Sequence, residues 1–283
     1  MNAISQSTAV SMHPRRAVHR LMWPAILIIL AMMFAGCPPA KETTKVEPKP
    51  KPVEKKPADA AFEMSVASIN LARYSKRIEQ EDIRQFADLL RKEKIDILTV
   101  GGLSRYPGVE SRIDFVDELS RDASMYNVFG ETINVSGRQG GNAVFSLFPV
   151  RSSENAHYDN IASTNFEASL QVIIDCGVRD VVVVSTMFPE KASIDDVNTC
   201  ANALGQIPIM YVGHPVIIGG NLPASDAVRS IAGFDATRPV NQEYAPRLWF
   251  SRDGSVLWKK QNVIHSALGT LIVATFELPK KVP

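Results

Sequence analysis

An α/β protein made of two mixed β-sheets packed face to face, with helices outside them, is the fold class this sequence predicts. Two observations lead there. Apolar runs of strand length recur along the chain, bounded by glycine, proline or polar residues, notably Leu170–Asp175, Val181–Thr186, Pro215–Ile218 and Thr270–Glu277. Continuous runs of this kind belong to strands covered on both faces. Other segments place apolar residues at helical spacing with charge opposite, which marks helices that cover a sheet on one side only.

The helices come first. From Glu81 to Lys94, residues Ile83, Phe86, Leu89 and Leu90 share one face, and Ile113, Val116 and Leu119 mark a second helix. Ser193-Ile194-Asp195-Asp196 supplies a cap before Val197, Ala201 and Leu204 on a third. Leu170–Asp175 and Val181–Thr186 read as a hairpin around Gly177-Val178-Arg179-Asp180, and Thr270–Glu277 as the last strand. Cys176 falls at a strand end and Cys200 on the third helix, so the two read as separate buried thiols. A disulfide is the alternative in an exported protein, and no ligand cluster suggests zinc.

The N-terminus divides the chain into three parts. Arg15, Arg16 and Arg20 precede an apolar stretch from Leu21 to Gly36, the layout of a secretory signal peptide over residues 1–36. Its end, Phe34-Ala35-Gly36-Cys37, resembles a bacterial lipobox. That resemblance implies acylation of Cys37, with chains such as palmitate, and a new N-terminus there. The competing reading, a transmembrane anchor, has about 16 apolar residues where a span needs about 20, and Pro24 interrupts it. Residues 37–60 are rich in proline, lysine and glutamate, with almost nothing to bury, and read as a disordered tether reaching at most about 70 Å. Residues 61–283 form the folded domain.

Charge follows this division. Of 31 basic and 30 acidic side chains, three basic ones lie in residues 1–36, and six basic and four acidic ones in 37–60. That leaves 22 basic and 26 acidic side chains in residues 61–283, a net of −4. Nucleic-acid binders usually carry a basic face, so no nucleic-acid partner is expected.

Three of the apolar runs end in short polar tags: Asn142–Val150, Val181–Met187 and Pro215–Ala224. In order and spacing they resemble the endonuclease/exonuclease/phosphatase family, whose members read roughly G-N-A-I-L-S-R-Y-P-I, then V-V-N-T-H, then P-V-I-L-x-G-D-F-N-A. The resemblance can be followed over most of residues 61–283, and it implies a four-layer α/β sandwich with pseudo-symmetric halves. It also implies where catalytic groups should stand. Asn70 keeps the asparagine that ends the first strand. Gly102 takes the place of the metal-binding glutamate. Ser185 and Met187 replace the asparagine and histidine of V-V-N-T-H. Asn221 replaces the general-base aspartate of G-D-F-N, and Pro223 its asparagine. Arg247 stands at the acid of a later R-I-D-Y-I-F strand, putting positive charge where a divalent cation would sit. Leu268 and Gly269 occupy the closing Asp–His pair. Glu110, Asp226, Asp235 and His265 are the nearest substitutes in sequence. Glu110 and Asp226 read more simply as helix-start residues, and His214 and His265 as surface groups just before strands.

Phosphoester hydrolysis by this route needs a hard cation on carboxylate oxygens, a base for the attacking water and donors on the leaving oxygens. Groups that act as a unit fail together. The sequence therefore reads as a degenerate member, with no catalytic residue and no metal. It suggests a non-catalytic binding or scaffolding module in the cell envelope, attached to the bilayer through Cys37. Pro38 after that cysteine favours the outer membrane, with the domain facing the periplasm. A protein or an envelope polymer would be its partner. The alternative is a divergent magnesium- or manganese-dependent phosphoesterase acting outside the cytoplasm.

Overall fold

The computed structural model describes residues 61–72, 78–106, 113–158, 168–188, 193–221, 231–238 and 246–279. Among them, one sheet (sheet A) contains β1 (Phe62–Asn70), β2 (Ile97–Ser104), β3 (Tyr126–Val135), β4 (Arg138–Ser146), β11 (Leu257–Ser266) and β12 (Gly269–Leu278). The other (sheet B) contains β5 (Val150–His157), β6 (Ala168–Asp175), β7 (Asp180–Met187), β8 (Val216–Asn221), β9 (Phe234–Ala236) and β10 (Arg247–Ser251). The strand orders are β11-β12-β1-β2-β4-β3 and β5-β6-β7-β8-β10-β9. In each sheet the central pair, β1–β2 or β7–β8, is parallel and every other pair antiparallel. Both sheets are therefore mixed, and they repeat one pattern of pairing.

Side-chain alternation along the central strands fixes the layers. On the inner faces Met64, Val66, Ile97, Val144 and Ile272 of sheet A share a buried cluster with Val172, Val181, Val183, Ile217 and Leu248 of sheet B. The outer face of sheet A carries Ile69, Leu98, Val100 and Phe145. These are covered by Ile83, Phe86 and Leu90 of α1 (Gln80–Lys92) and by Phe115 and Leu119 of α2 (Phe115–Ala123). The outer face of sheet B carries Val182, Val184, Ile218 and Trp249 beneath Val197, Cys200 and Leu204 of α3 (Ile194–Met210). Helix, sheet, sheet, helix: the expected four-layer sandwich is the observed one. Each large side chain so buried contributes roughly 1.5–3 kcal/mol.

Local signals set the helix starts. Ser193 caps α3 by accepting from the Asp196 amide at 3.1 Å, while Asp196 accepts from the Ser193 amide at 3.1 Å. Asp114 caps α2 by accepting from the Val116 and Asp117 amides. Within the run Asn142–Val150, β4 ends at Ser146, whose hydroxyl accepts from the Phe148 amide at 2.9 Å, and β5 begins at Val150. The strand pattern corrects the sequence reading at one histidine. His265 does not precede a strand but lies within β11, its Nδ1 3.2 Å from Thr270 Oγ1. Cys176 belongs to the inter-sheet cluster and Cys200 to the cluster under α3, so no disulfide joins them.

Candidate functional site

The two parallel pairs run in the same direction, and their C-terminal ends meet across the sandwich. Asn70 is the register partner of Gly101, and Met187 that of Asn221. A Cβ placed on Gly101 would lie 3.6 Å from Met187 Cβ in the other sheet. Arg247 pairs with Gly220 at the start of β10, and Gly269 opens β12 beside Ile69. Asn70, Gly102, Ser185, Met187, Asn221, Arg247 and Gly269 thus lie at one end of the molecule. Pro223, Glu110, Asp226 and Cys37 lie outside the described residues.

Among the described residues, small and apolar groups fill the space between the strand ends. Gly102 has φ of +67°, a conformation that costs a residue with a side chain more than it costs glycine. A Cβ there would come within 2.5 Å of both Met187 Sδ and Ala72 Cβ. The thioether of Met187 therefore fills the space that a side chain at Gly102 would take. One layer deeper, Gly219 faces Thr99 so closely that a Cβ would collide with the threonine side chain. The sheets can approach this far only because β8 carries glycine there.

Two described polar side chains near this end, Asn142 and Ser185, hold the sheets together. Asn142 is fully buried on β4; its Oδ1 accepts from the Gly102 amide at 3.2 Å, and its Nδ2 donates to the Ala168 carbonyl of sheet B at 3.0 Å. Ser185 Oγ crosses in the other direction, donating to the Val100 carbonyl at 3.0 Å. Asn70 Oδ1 is half-buried and accepts from the Ala72 amide at 3.0 Å. Asn221 is buried and its Oδ1 makes no hydrogen bond. Neither clamp, Asn142 nor Ser185, was legible as such in the sequence. The available signal for Asn142 was a polar residue heading an apolar strand, which has to find partners once buried. Removing it as Asn142→Ala leaves the Gly102 amide and the Ala168 carbonyl without this partner. The expected loss is roughly 2–4 kcal/mol, read from the urea midpoint at unchanged slope.

Several expected site residues face elsewhere. Arg247 shares a face of β10 with Trp249, whose ring lies 5.9 Å from its guanidinium, and Trp249 is buried under α3. Its charge is on the outer side of sheet B, because alternation turns Leu248 and Phe250 inward instead. The expectation that Arg247 repels a cation at the site is corrected accordingly. Leu268 is buried in the cluster beneath α1 and α2. Asp235 is paired with Arg252 at 2.9 Å. Arg105, just past β2, hydrogen-bonds Asp114 at 2.8 Å and lies 5.6 Å from the Phe129 ring. Burial works against the Arg105 charge, but the Asp114 bond and the nearby acids outweigh it and raise its pKa. Tyr158 bonds Thr186 Oγ1 at 2.6 Å on the α3 side, and burial pushes its phenol far above the usual range, which keeps it neutral.

Among the described residues, the groups gathered at this end do not fit a divalent cation. A hard ion wants anionic oxygens, and the positions that would supply them hold a glycine, a thioether, a neutral amide and a buried leucine. Among the described residues no three His, Cys, Asp or Glu side chains converge on one point.

No family model matches the sequence, and no curated protein does either. Solved structures do match. The catalytic domain of human Nocturnin, solved with a bound sulfate anion, is similar with a TM-score of 0.59 and 14% identity, over 77% of this chain and 95% of that one. An endonuclease/exonuclease/phosphatase from Bacteroides vulgatus gives a TM-score of 0.58 at 11% identity, over 77% and 100%. Truncated TDP2 from Caenorhabditis elegans gives 0.56 at 16% identity, over 76% and 98%. At these identities the likeness establishes a shared sandwich fold.

Proposed function

We propose that this protein is a lipid-anchored envelope protein whose endonuclease/exonuclease/phosphatase-like sandwich serves as a binding or scaffolding module and not as a hydrolase. The observation that carries this reading is the packing at Gly102. Where the resemblance calls for a metal-binding glutamate there is a left-handed glycine, with Met187 Sδ and Ala72 Cβ lying where a side chain would begin. Asn221 stands where a base is called for and carries no charge. Met187, where a phosphate-binding histidine is called for, neither donates a proton nor bears charge. The anchor is read from Phe34-Ala35-Gly36-Cys37.

The test is calorimetric titration of the purified protein with magnesium and manganese, followed by a panel of phosphomonoesters and phosphodiesters. The expected result is no saturable binding and no turnover above background. Asn221→Asp should change neither outcome. A carboxylate at so buried a position tends to take up a proton and stay neutral, and the remaining groups are still missing. Metal-dependent turnover that is lost on mutating Asn70 would establish the divergent phosphoesterase instead.

A further inference from the structure

The end of the sandwich opposite the candidate site carries an exposed apolar tip. At the close of α3, Ile209 is 66% exposed and Met210 57%, and Val212 in the turn that follows is 80% exposed. Val178, in the turn between β6 and β7, is 43% exposed. Arg179 ties these turns together, donating to the Gly213 carbonyl at 2.9 Å and reaching the Ser255 carbonyl at 3.5 Å. Residues 197–213 contain no charged side chain. Solvated helix ends are seldom so bare, and contiguous exposed apolar groups mark a contact surface.

The course of the chain says what it contacts. Phe62 begins β1 at this same end; its ring is 5.5 Å from that of Phe148, and it packs on the cluster that holds Cys176 and Val256. The described chain therefore enters its first strand at the end that bears the apolar tip. Lys92 and Lys94, exposed where α1 leads into β2, add positive charge at this end that suits anionic headgroups. Acids stand at this end too: Asp175 and Asp180 are paired with Arg151 at 2.9 and 2.7 Å, Glu93 lies between the two lysines, and Asp253 is exposed in the turn after β10.

We infer that Ile209, Met210 and Val212, with Val178 beside them, form a bilayer-contacting tip that seats the domain on the membrane and turns the closed site end away from it. This inference rests on the Cys37 anchor proposed above. An uncharged apolar tip enters the headgroup region without the cost of desolvating charge. The tether brings it there at high local concentration.

The mature acylated protein, residues 37–283, reconstituted into phosphatidylethanolamine–phosphatidylglycerol vesicles doped with dibrominated phospholipid, provides the test. Val212→Trp reports on the tip. Val135→Trp reports on the opposite end, since Val135 is 58% exposed at the β3–β4 hairpin, and β4 begins beside the C-terminal end of β2. Trp249 and Trp258 give both variants the same background. Bromolipid quenching of the added emission in Val212→Trp, but not in Val135→Trp, is expected. Vesicle flotation without quenching of either probe overturns the tip while leaving the anchor standing, and directs the patch to a protein partner instead. Equal quenching of both also overturns it, as the domain then has no preferred face. Failure to float overturns the anchor, and the tip with it.

Discussion

Replacing Cys37 with alanine is expected to empty the membrane fraction of mature protein. The thiol is the only nucleophile at the end of the Leu21–Gly36 apolar stretch that a lipid could be attached to, and alanine removes it without altering the stretch. Each buried acyl methylene contributes about 0.8 kcal/mol, and one chain alone binds only marginally, so stable anchoring takes more than one. Losing all of them shifts partitioning by orders of magnitude. The Cys37→Ala protein should appear either as soluble material or as a longer precursor that retains residues 1–36. Mass spectrometry of the wild-type N-terminal peptide should find Cys37 acylated. Unchanged fractionation together with unchanged processing would sink the anchor. It would also recast residues 21–36 as a membrane span.

The sequence showed best where one side chain's environment is decided locally. Ser193 and Asp196 could be read as a cap because both partners lie within one turn. The periodicity of Ile83, Phe86 and Leu90 survived because α1 has a single buried face. The β6–β7 hairpin and β12 were legible because strands covered on both sides must be apolar throughout. What the sequence hid were the strands whose identity comes from a neighbour. β5 reads Val-Arg-Ser-Ser-Glu-Asn-Ala-His and β11 reads Leu-Trp-Lys-Lys-Gln-Asn-Val-Ile-His-Ser. They are polar because they form sheet edges, where charge discourages pairing with other chains, and each is a strand by virtue of β6 or β12 beside it. The site was legible as a set of positions but not as a set of directions. Register brings Asn70, Gly102, Met187 and Asn221 to one end, whereas the side-chain alternation that turns Arg247 outward depends on which face of β10 meets α3. Nor did any local pattern reveal that Met187 Sδ would come to rest against Gly102, since 85 residues separate them.

Restoring the acid at Gly102 should therefore damage the protein and not revive it. Gly102→Glu forces a side chain onto a left-handed backbone, which costs roughly 1–2 kcal/mol. It also drives a Cβ against Ala72 and Met187, and overpacking of that kind costs typically 1–3 kcal/mol. The expected loss is about 2–5 kcal/mol by urea denaturation. The two causes separate in a double-mutant cycle. Met187→Ala alone should cost about 2–5 kcal/mol, as a truncated core methionine does. Combined with Gly102→Glu it removes one of the two colliding groups, so the double variant should be more stable than the sum of the singles implies, by about 0.5–3 kcal/mol. Backbone strain and the Ala72 contact remain, so the double variant should still fall below wild type. Adding magnesium should stabilise neither variant, because among the described residues the glutamate would have a thioether and neutral amides beside it and no second carboxylate. Gly102→Glu within about 0.5 kcal/mol of wild type, the range of an ordinary surface substitution, together with a magnesium-dependent rise in its urea midpoint, would show that the closed end still opens to receive an acid and a cation. The sandwich would then have to be read as an enzyme lacking one residue, and not as a module that has filled its site.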